Sequence, residues 1–205
     1  MIIAGMDIST TSGLCVWDGK GYRAYEFRPN VKRPSDLKPQ ELHAPYEAIV
    51  AEEWRDHVRR FFLSEGVEHV GYELPRTGDF SKFQDDGEGG KEKVRSSSNL
   101  SLVRNFGLVT HMLGVANRLN IIHYGAHDTA WRKTFLGFSR APKGHPGFKT
   151  SRDYMKAQSK LRCAQLGIKV KGDNAADATG VCYWLKSYLD PDNKVMGELF
   201  EGSAP

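Results

Sequence analysis

The stretch that most constrains this chain is residues 1–18, MIIAGMDISTTSGLCVWD. Ile2, Ile3 and Ala4 run through Gly5 and Met6 to one carboxylate, Asp7, and the polar segment 9–13 leads to a second apolar run over 14–17. The pattern predicts a buried strand, a tight turn and a returning antiparallel strand. An ionised Asp at the end of a buried strand is costly without a partner, and no cation lies near it in sequence. Either a metal ion is that partner, or Asp7 caps the turn through its own backbone.

Further along, Asp-Gly-Lys-Gly at 18–21 is a turn and 22–27 alternates as a third strand, completing an antiparallel meander. Pro29, Pro34 and Pro39 mark 28–43 as loop. Pro45 suits a first helical position, and Tyr46, Ile49, Val50, Trp54, Val58, Phe61 and Phe62 recur at helical spacing up to Gly66. A fourth strand is expected over 67–74, with Glu73 near its C-terminal end and Pro75 stopping it. Residues 76–98 are rich in Gly, Ser, Lys and Asp, which predicts an irregular segment, functional or disordered. Within it Phe80 and Phe83 are either a local anchor or a wedge for nucleic acid.

Helical order returns from Asn99 to about Leu119, with Leu102, Val103, Phe106, Val109, Thr110 and Leu113 as its apolar face. Gly107 and Gly114 lie on that face; a helical Gly costs about 1 kcal/mol against Ala, so another backbone should approach closely there, from the same sheet or from a second subunit. A fifth, short strand is expected over 120–124, then a helix capped by Asp128 and running to Leu136. A loop over 137–150, a basic helix capped by Ser151 and a last helix from Asp173 or Asn174 through Leu189 complete the order. The expected fold is α/β: a mixed five-stranded sheet flanked by helices, in one domain over 1–190 with a weakly structured tail at 191–205.

Bulk composition excludes several classes. With 40% apolar and 26% charged residues the chain reads as an ordinary globular protein. No apolar run approaches the roughly 20 residues of a membrane span, and the N-terminus lacks the features of a signal peptide, so no membrane association and a cytoplasmic location are expected. Cys15, Cys163 and Cys182 suit neither a disulfide framework nor a zinc site. The net charge of +4 is unevenly spread. From 131 to 171 eleven basic residues, among them Arg132, Lys133, Lys143, Lys149, Arg152 and Lys156, face the single acid Asp153. A solvated lysine-rich face normally interleaves Glu, so this stretch points to a polyanion, nucleic acid first.

The acids fall at the ends of elements. Asp7 ends strand one, Glu73 ends strand four, and Asp173 and Asp177 share a face of the last helix one turn apart. Like charges at that spacing repel unless a divalent cation lies between them, although Asp173 alone also suits a helix N-terminus. Oxygen ligands drawn from distant positions fit Mg²⁺ or Mn²⁺, and two such ions roughly 4 Å apart hydrolyse phosphodiesters. Acidic ligands beside a basic surface describe a metal nuclease.

The runs GMDISTTSG, GYELP and DNAADATGVCYWL resemble the three acidic motifs of RuvC-type Holliday-junction resolvases, in the RNase H-like superfamily. Trp-Arg-Lys at 131–133 and the basic stretch after it are similar to the phage-borne branch. The resemblance spans residues 1–189. It implies an RNase H-like fold, a homodimer and Mg²⁺-dependent paired nicks in branched DNA, with Mn²⁺ able to substitute. It makes Asp7, Glu73 and Asp177 metal ligands and leaves the fourth place to Asp173 or Asn174, because this chain lacks the acid or His that many relatives carry three residues before the last Asp; Asp173 is favoured, as a charged ligand balances the metal better. The segment after Glu73, with Arg76, Phe80 and Phe83, corresponds to the family's junction-contacting loop over 75–98. The opening motif also resembles the phosphate-binding turn of actin-like ATPases and sugar kinases, which need two such lobes. A non-catalytic DNA-binding module is the other alternative.

Overall fold

Alternation in the first two strands decides the architecture. In β1 (Ile3–Asp7), Ala4 and Met6 point to one side of the sheet and Ile3, Gly5 and Asp7 to the other. β2 (Ser12–Trp17) returns antiparallel with Asp7 opposite Gly13, and β3 (Tyr22–Phe27) extends the meander. The chain continues through α1 (Ala44–Glu65), β4 (His69–Glu73), β5 (Ser81–Asp85), β6 (Lys91–Arg95), α2 (Ser98–Arg118), β7 (Ile122–Ala126), α3 (Asp128–Leu136), α4 (Ser151–Gln165) and α5 (Asp173–Leu189). The computed structural model describes residues 1–36, 43–75, 81–85, 91–95, 98–144 and 147–190, with only the backbone of 81–85, 91–95 and 98–100.

The main sheet has the order β3-β2-β1-β4-β7, with β4 parallel to β1 and β7 parallel to β4. It is the expected mixed five-stranded sheet. One face carries α1 and α2, which bury Trp54, Val58, Phe61, Phe62, Leu108 and Met112 against Met6, Leu14, Val16, Val70 and Tyr72. Trp54 is wholly buried because its indole N–H finds the Leu108 carbonyl at 3.0 Å. The other face carries α5, flanked by α3 and α4, and its core includes Ile3, Cys15, Trp131, Phe135, Cys163, Val181 and Leu185. All three cysteines are buried with free thiols. Among the described residues, no helix is long and apolar enough to cross a membrane.

α5 lies unusually close to the sheet. A Cβ on Gly5 would overlap the backbone of Ala178 and Cys182, and one on Gly13 the backbone at Asn174. These two glycines, under the small residues Ala175 and Ala178, let the helix rest on β1 and β2 main chain to main chain.

Several local expectations are corrected. The segment 76–98 is not wholly irregular, since β5 and β6 pair antiparallel as a separate two-stranded sheet. Its sequence alternates no apolar residues and so carries no strand signal. The buried stripe of α2 is Leu108, Val109, Met112, Val115 and Ala116, whereas Val103 and Phe106 are each 60% exposed. No atom of the described residues outside the helix's own nearby backbone comes within 4 Å of a Cβ built on Gly107 or Gly114, so no backbone among the described residues explains them. The fifth strand starts at Ile122, after Asn120 turns the chain at φ 55°. His127 rather than Asp128 precedes α3, and Thr150 rather than Ser151 caps α4, accepting from the Asp153 N–H.

Candidate active site

Register brings the first two acids together. Gly5 pairs with Gly71 and Met6 with Tyr72 in the parallel β1–β4 ladder, so Asp7 and Glu73 come next, side by side at the C-terminal ends of neighbouring strands. Both belong to the face covered by α5. α5 runs down that face, with Asn174 and Ala175 over Gly13, Ala178 and Cys182 over Gly5, and Val181 and Leu185 over Gly71. Asp177, one turn before Val181, therefore lies above the ends of β1 and β4.

Their electrostatics agree. Burial pushes the Asp7 carboxyl well above the ordinary carboxylate range, and the charges of Glu73 and Asp177 push it further. Burial also raises Asp177, from an ordinary 3.8 to about 6, with Glu73 adding to the rise. Lys156 and Arg132 act in the opposite sense on both. The buried Ser159 hydroxyl of α4 faces Asp177 and also lowers it, from outside full hydrogen-bond geometry. Three carboxylates thus share a buried site in which Lys156 and Arg132 do not offset burial and mutual repulsion at Asp7 and Asp177. Hard oxygen donors in that state suit Mg²⁺ or Mn²⁺. Among the described residues no three acidic, His or Cys side chains close tightly enough to hold an ion as they stand.

Asp173 is engaged elsewhere. Lys156 Nζ lies 2.7 Å from its Oδ2 and Lys160 Nζ 2.5 Å from its Oδ1, and these bonds hold its carboxyl below the usual range. It does not cap its own helix: the N-cap is Gly172, and Glu26 of β3 accepts from the N–H groups of Asn174 at 2.9 Å and Ala175 at 3.3 Å. The Asn174 side chain donates to the Thr11 carbonyl at 2.6 Å. Glu26 was not foreseen from sequence, because a cap supplied from 148 residues away leaves no local pattern.

Of the basic residues, Arg132 pairs with Asp128 at 3.0 Å and lies over the Trp131 ring, and Lys156 is half-buried beside the acids. Lys133, Lys143, Lys149 and Arg152 are exposed on α3, the following loop and the start of α4. Phe83 sits opposite Lys93 in the β5–β6 ladder, its side chain outside the described residues, as are Arg76 and Phe80. Two of the four hydroxyls of the 9–13 turn are spent locally: Ser9 Oγ donates to the Thr11 carbonyl and Ser12 Oγ to the Ser9 carbonyl, each at 2.6 Å. That arrangement does not favour a phosphate-binding turn. His123 Nε2 bonds Asn117 at 3.2 Å.

No protein-family model and no curated protein matches the chain in sequence. Solved structures do match in shape. Thermus thermophilus RuvC superposes with a TM-score of 0.56 at 17% identity, covering 94% of this chain and 97% of that one. RuvC of the same organism in complex with Holliday junction substrate gives 0.56 at 12% identity, covering 93% and 96%. The yeast mitochondrial Holliday junction resolvase Ydc2 gives 0.52 at 7% identity, covering 97% and 85%. At such identities the likeness is one of fold, and the fold of this chain is the RNase H-like α/β architecture of the RuvC-type resolvases.

Proposed function

We propose that this chain is a metal-dependent endonuclease that resolves branched DNA, with Asp7, Glu73 and Asp177 as the ligands of Mg²⁺. The observation that carries the reading is the convergence of these carboxylates at the ends of two parallel strands, on a fold whose solved examples include one bound to a Holliday junction. When bound, a pair of divalent ions would activate the attacking water and stabilise the leaving oxygen of the phosphodiester. The chain's own part is to hold three oxygen donors in a buried site and to put Arg132 and Lys156 beside it, where a scissile phosphate needs cations. Lys133, Lys143, Lys149 and Arg152 continue the positive surface along the DNA backbone. Asp173 and Asn174 would have to leave Lys156, Lys160 and Thr11 to complete a fourth position, so the three other acids are the core of the proposal.

Paired nicks require two active sites. The exposed Val103 and Phe106, with Gly107 and Gly114 open on α2, offer a face for a second copy. Phe106→Glu should turn a dimer into a monomer in analytical ultracentrifugation; an unchanged sedimentation coefficient removes this face from the interface.

The deciding experiment is incubation with Mg²⁺ and a synthetic four-way junction, with linear duplex and a flap substrate alongside. Symmetric paired cuts confined to the junction support the reading. Cutting of all three substrates keeps the nuclease and discards junction specificity. No cutting with Mg²⁺ or Mn²⁺ overturns the proposal.

A further inference from the structure

Behind Glu73 stands a side chain that the carboxylate reading does not use. Trp131 of α3 is wholly buried, yet its one polar atom is not spent on the backbone: Nε1 donates to Glu73 Oε2 at 2.9 Å. The indole is held from two sides. Arg132 lies over the ring, 5.1 Å from its centroid, and Gly180 of α5 gives it room, since a Cβ there would come within 2.6 Å of the ring carbons. Gly180 is three residues after Asp177, so the same stretch of α5 supplies one acid and seats the ring that grips another.

The chemistry of the contact is directional. An indole N–H donates and never accepts, so at Glu73 it meets a lone pair of the carboxylate. It does not titrate and is locked by its packing, so it fixes the carboxylate oxygen that it bonds. A Lys in that place would add charge and mobility, and a Ser would not reach with the same rigidity.

We propose that Trp131 is a positioning residue: its indole N–H holds one oxygen of Glu73, fixing the carboxylate as a metal ligand, so that α3 and α5 together set the geometry of an acid carried by β4. The proposal rests on reading Glu73 as a ligand. Outer partners of this kind set metal affinity over about one to two decades, which separates their role from that of packing.

The test is Trp131→Phe, which keeps a buried ring and removes the donor. Mn²⁺ binding is followed by calorimetry on the protein without DNA, and junction cleavage is titrated with Mn²⁺. The variant should bind Mn²⁺ about tenfold more weakly, with cleavage regained at saturating Mn²⁺. Equal Mn²⁺ affinity in the two proteins overturns the inference while leaving the nuclease reading intact; absence of Mn²⁺ binding by the wild type overturns both. If the variant does not fold, ¹⁵N-detected indole signals of the wild type serve instead. On Mg²⁺ addition the Trp131 N–H resonance should shift and that of Trp54, bonded to Leu108, should not. An unmoved Trp131 signal refutes the role.

Discussion

Asp177→Asn should stabilise the metal-free protein at pH 8, and the gain should vanish in acid. Asp177 is buried and its pKa is raised from 3.8 to about 6, so the folded chain holds its proton more tightly than the unfolded chain. Such a group costs stability as pH rises through the window between those values. The shift is about two units, and at 1.36 kcal/mol per unit the ionised carboxylate costs about 3 kcal/mol above pH 6. Asn removes the charge at nearly the same volume; burying an amide with incomplete partners returns about 1 kcal/mol, leaving a net gain of about 2 kcal/mol. For a chain of this length that is a rise in Tm of about 4–8 °C. Loss of the Asp177 charge also eases Asp7, which it pushes upward, so the two effects have the same sign. Thermal and urea unfolding in EDTA at pH 8, 6 and 4 measure the curve. The gain should be full at pH 8, shrink through pH 6 and be gone near pH 4. On the proposed metal site, saturating Mg²⁺ should reverse the order, because the variant would lose a ligand and binding to the folded state adds stability. A variant less stable than wild type at pH 8 in EDTA, or a gain unchanged at pH 4, would refute the argument.

Three other perturbations address different links. Glu26→Ala leaves the N–H groups of Asn174 and Ala175 without their acceptor and should cost about 1 kcal/mol in urea unfolding, with Glu26→Gln recovering part of it. Gly13→Ala drives a methyl into the backbone at Asn174, where nothing flexible can yield; a loss of about 3 kcal/mol is expected, along with weaker Mn²⁺ binding as α5 is displaced. Replacing both exposed cations Lys149 and Arg152 by Ala should flatten the log–log salt dependence of DNA binding by about 1.8, at about 0.9 per phosphate contact; an unchanged slope puts the DNA elsewhere.

What the sequence made legible follows from what leaves a local trace. The meander, α1 and the mixed sheet were readable because two apolar runs joined by a polar turn, an alternating third strand and helical apolar spacing mark residues 3–27 and 44–65. Gly66 closing α1 at φ 67° is the same kind of signal. Asp7 and Glu73 stood out as carboxylates ending apolar runs, and Asp177 as one among small residues. The β5–β6 hairpin was invisible because its residues do not alternate. The buried face of α2 was misjudged because its apolar residues surround too much of the helix for spacing alone to choose a side.

The remaining gap concerns partners rather than elements. Asp173 read as a ligand because i and i+4 acids share a face, but the same spacing on α4 sets Lys156 and Lys160 on one face, and that pair takes Asp173. Sequence spacing is symmetric between the two readings; only the packing of α4 against α5 breaks the tie. Trp131 is the converse case. Its sequence context marks it only as part of a helix and of the Trp-Arg-Lys run, and nothing in its neighbourhood along the chain announces that it is buried or that its N–H reaches Glu73, 58 residues earlier. Both follow from one structural choice. By accepting Gly5, Gly13 and Gly180, the chain lets α5 sink onto β1 and β2 and lets Trp131 fill the space beside it. The helix that supplies Asp177 is thereby fixed by main-chain contact, and the acid it carries is held where its charge is least comfortable. If these acids hold a cation as proposed, the site spends folding stability on binding, and the metal-free protein should be the less stable form.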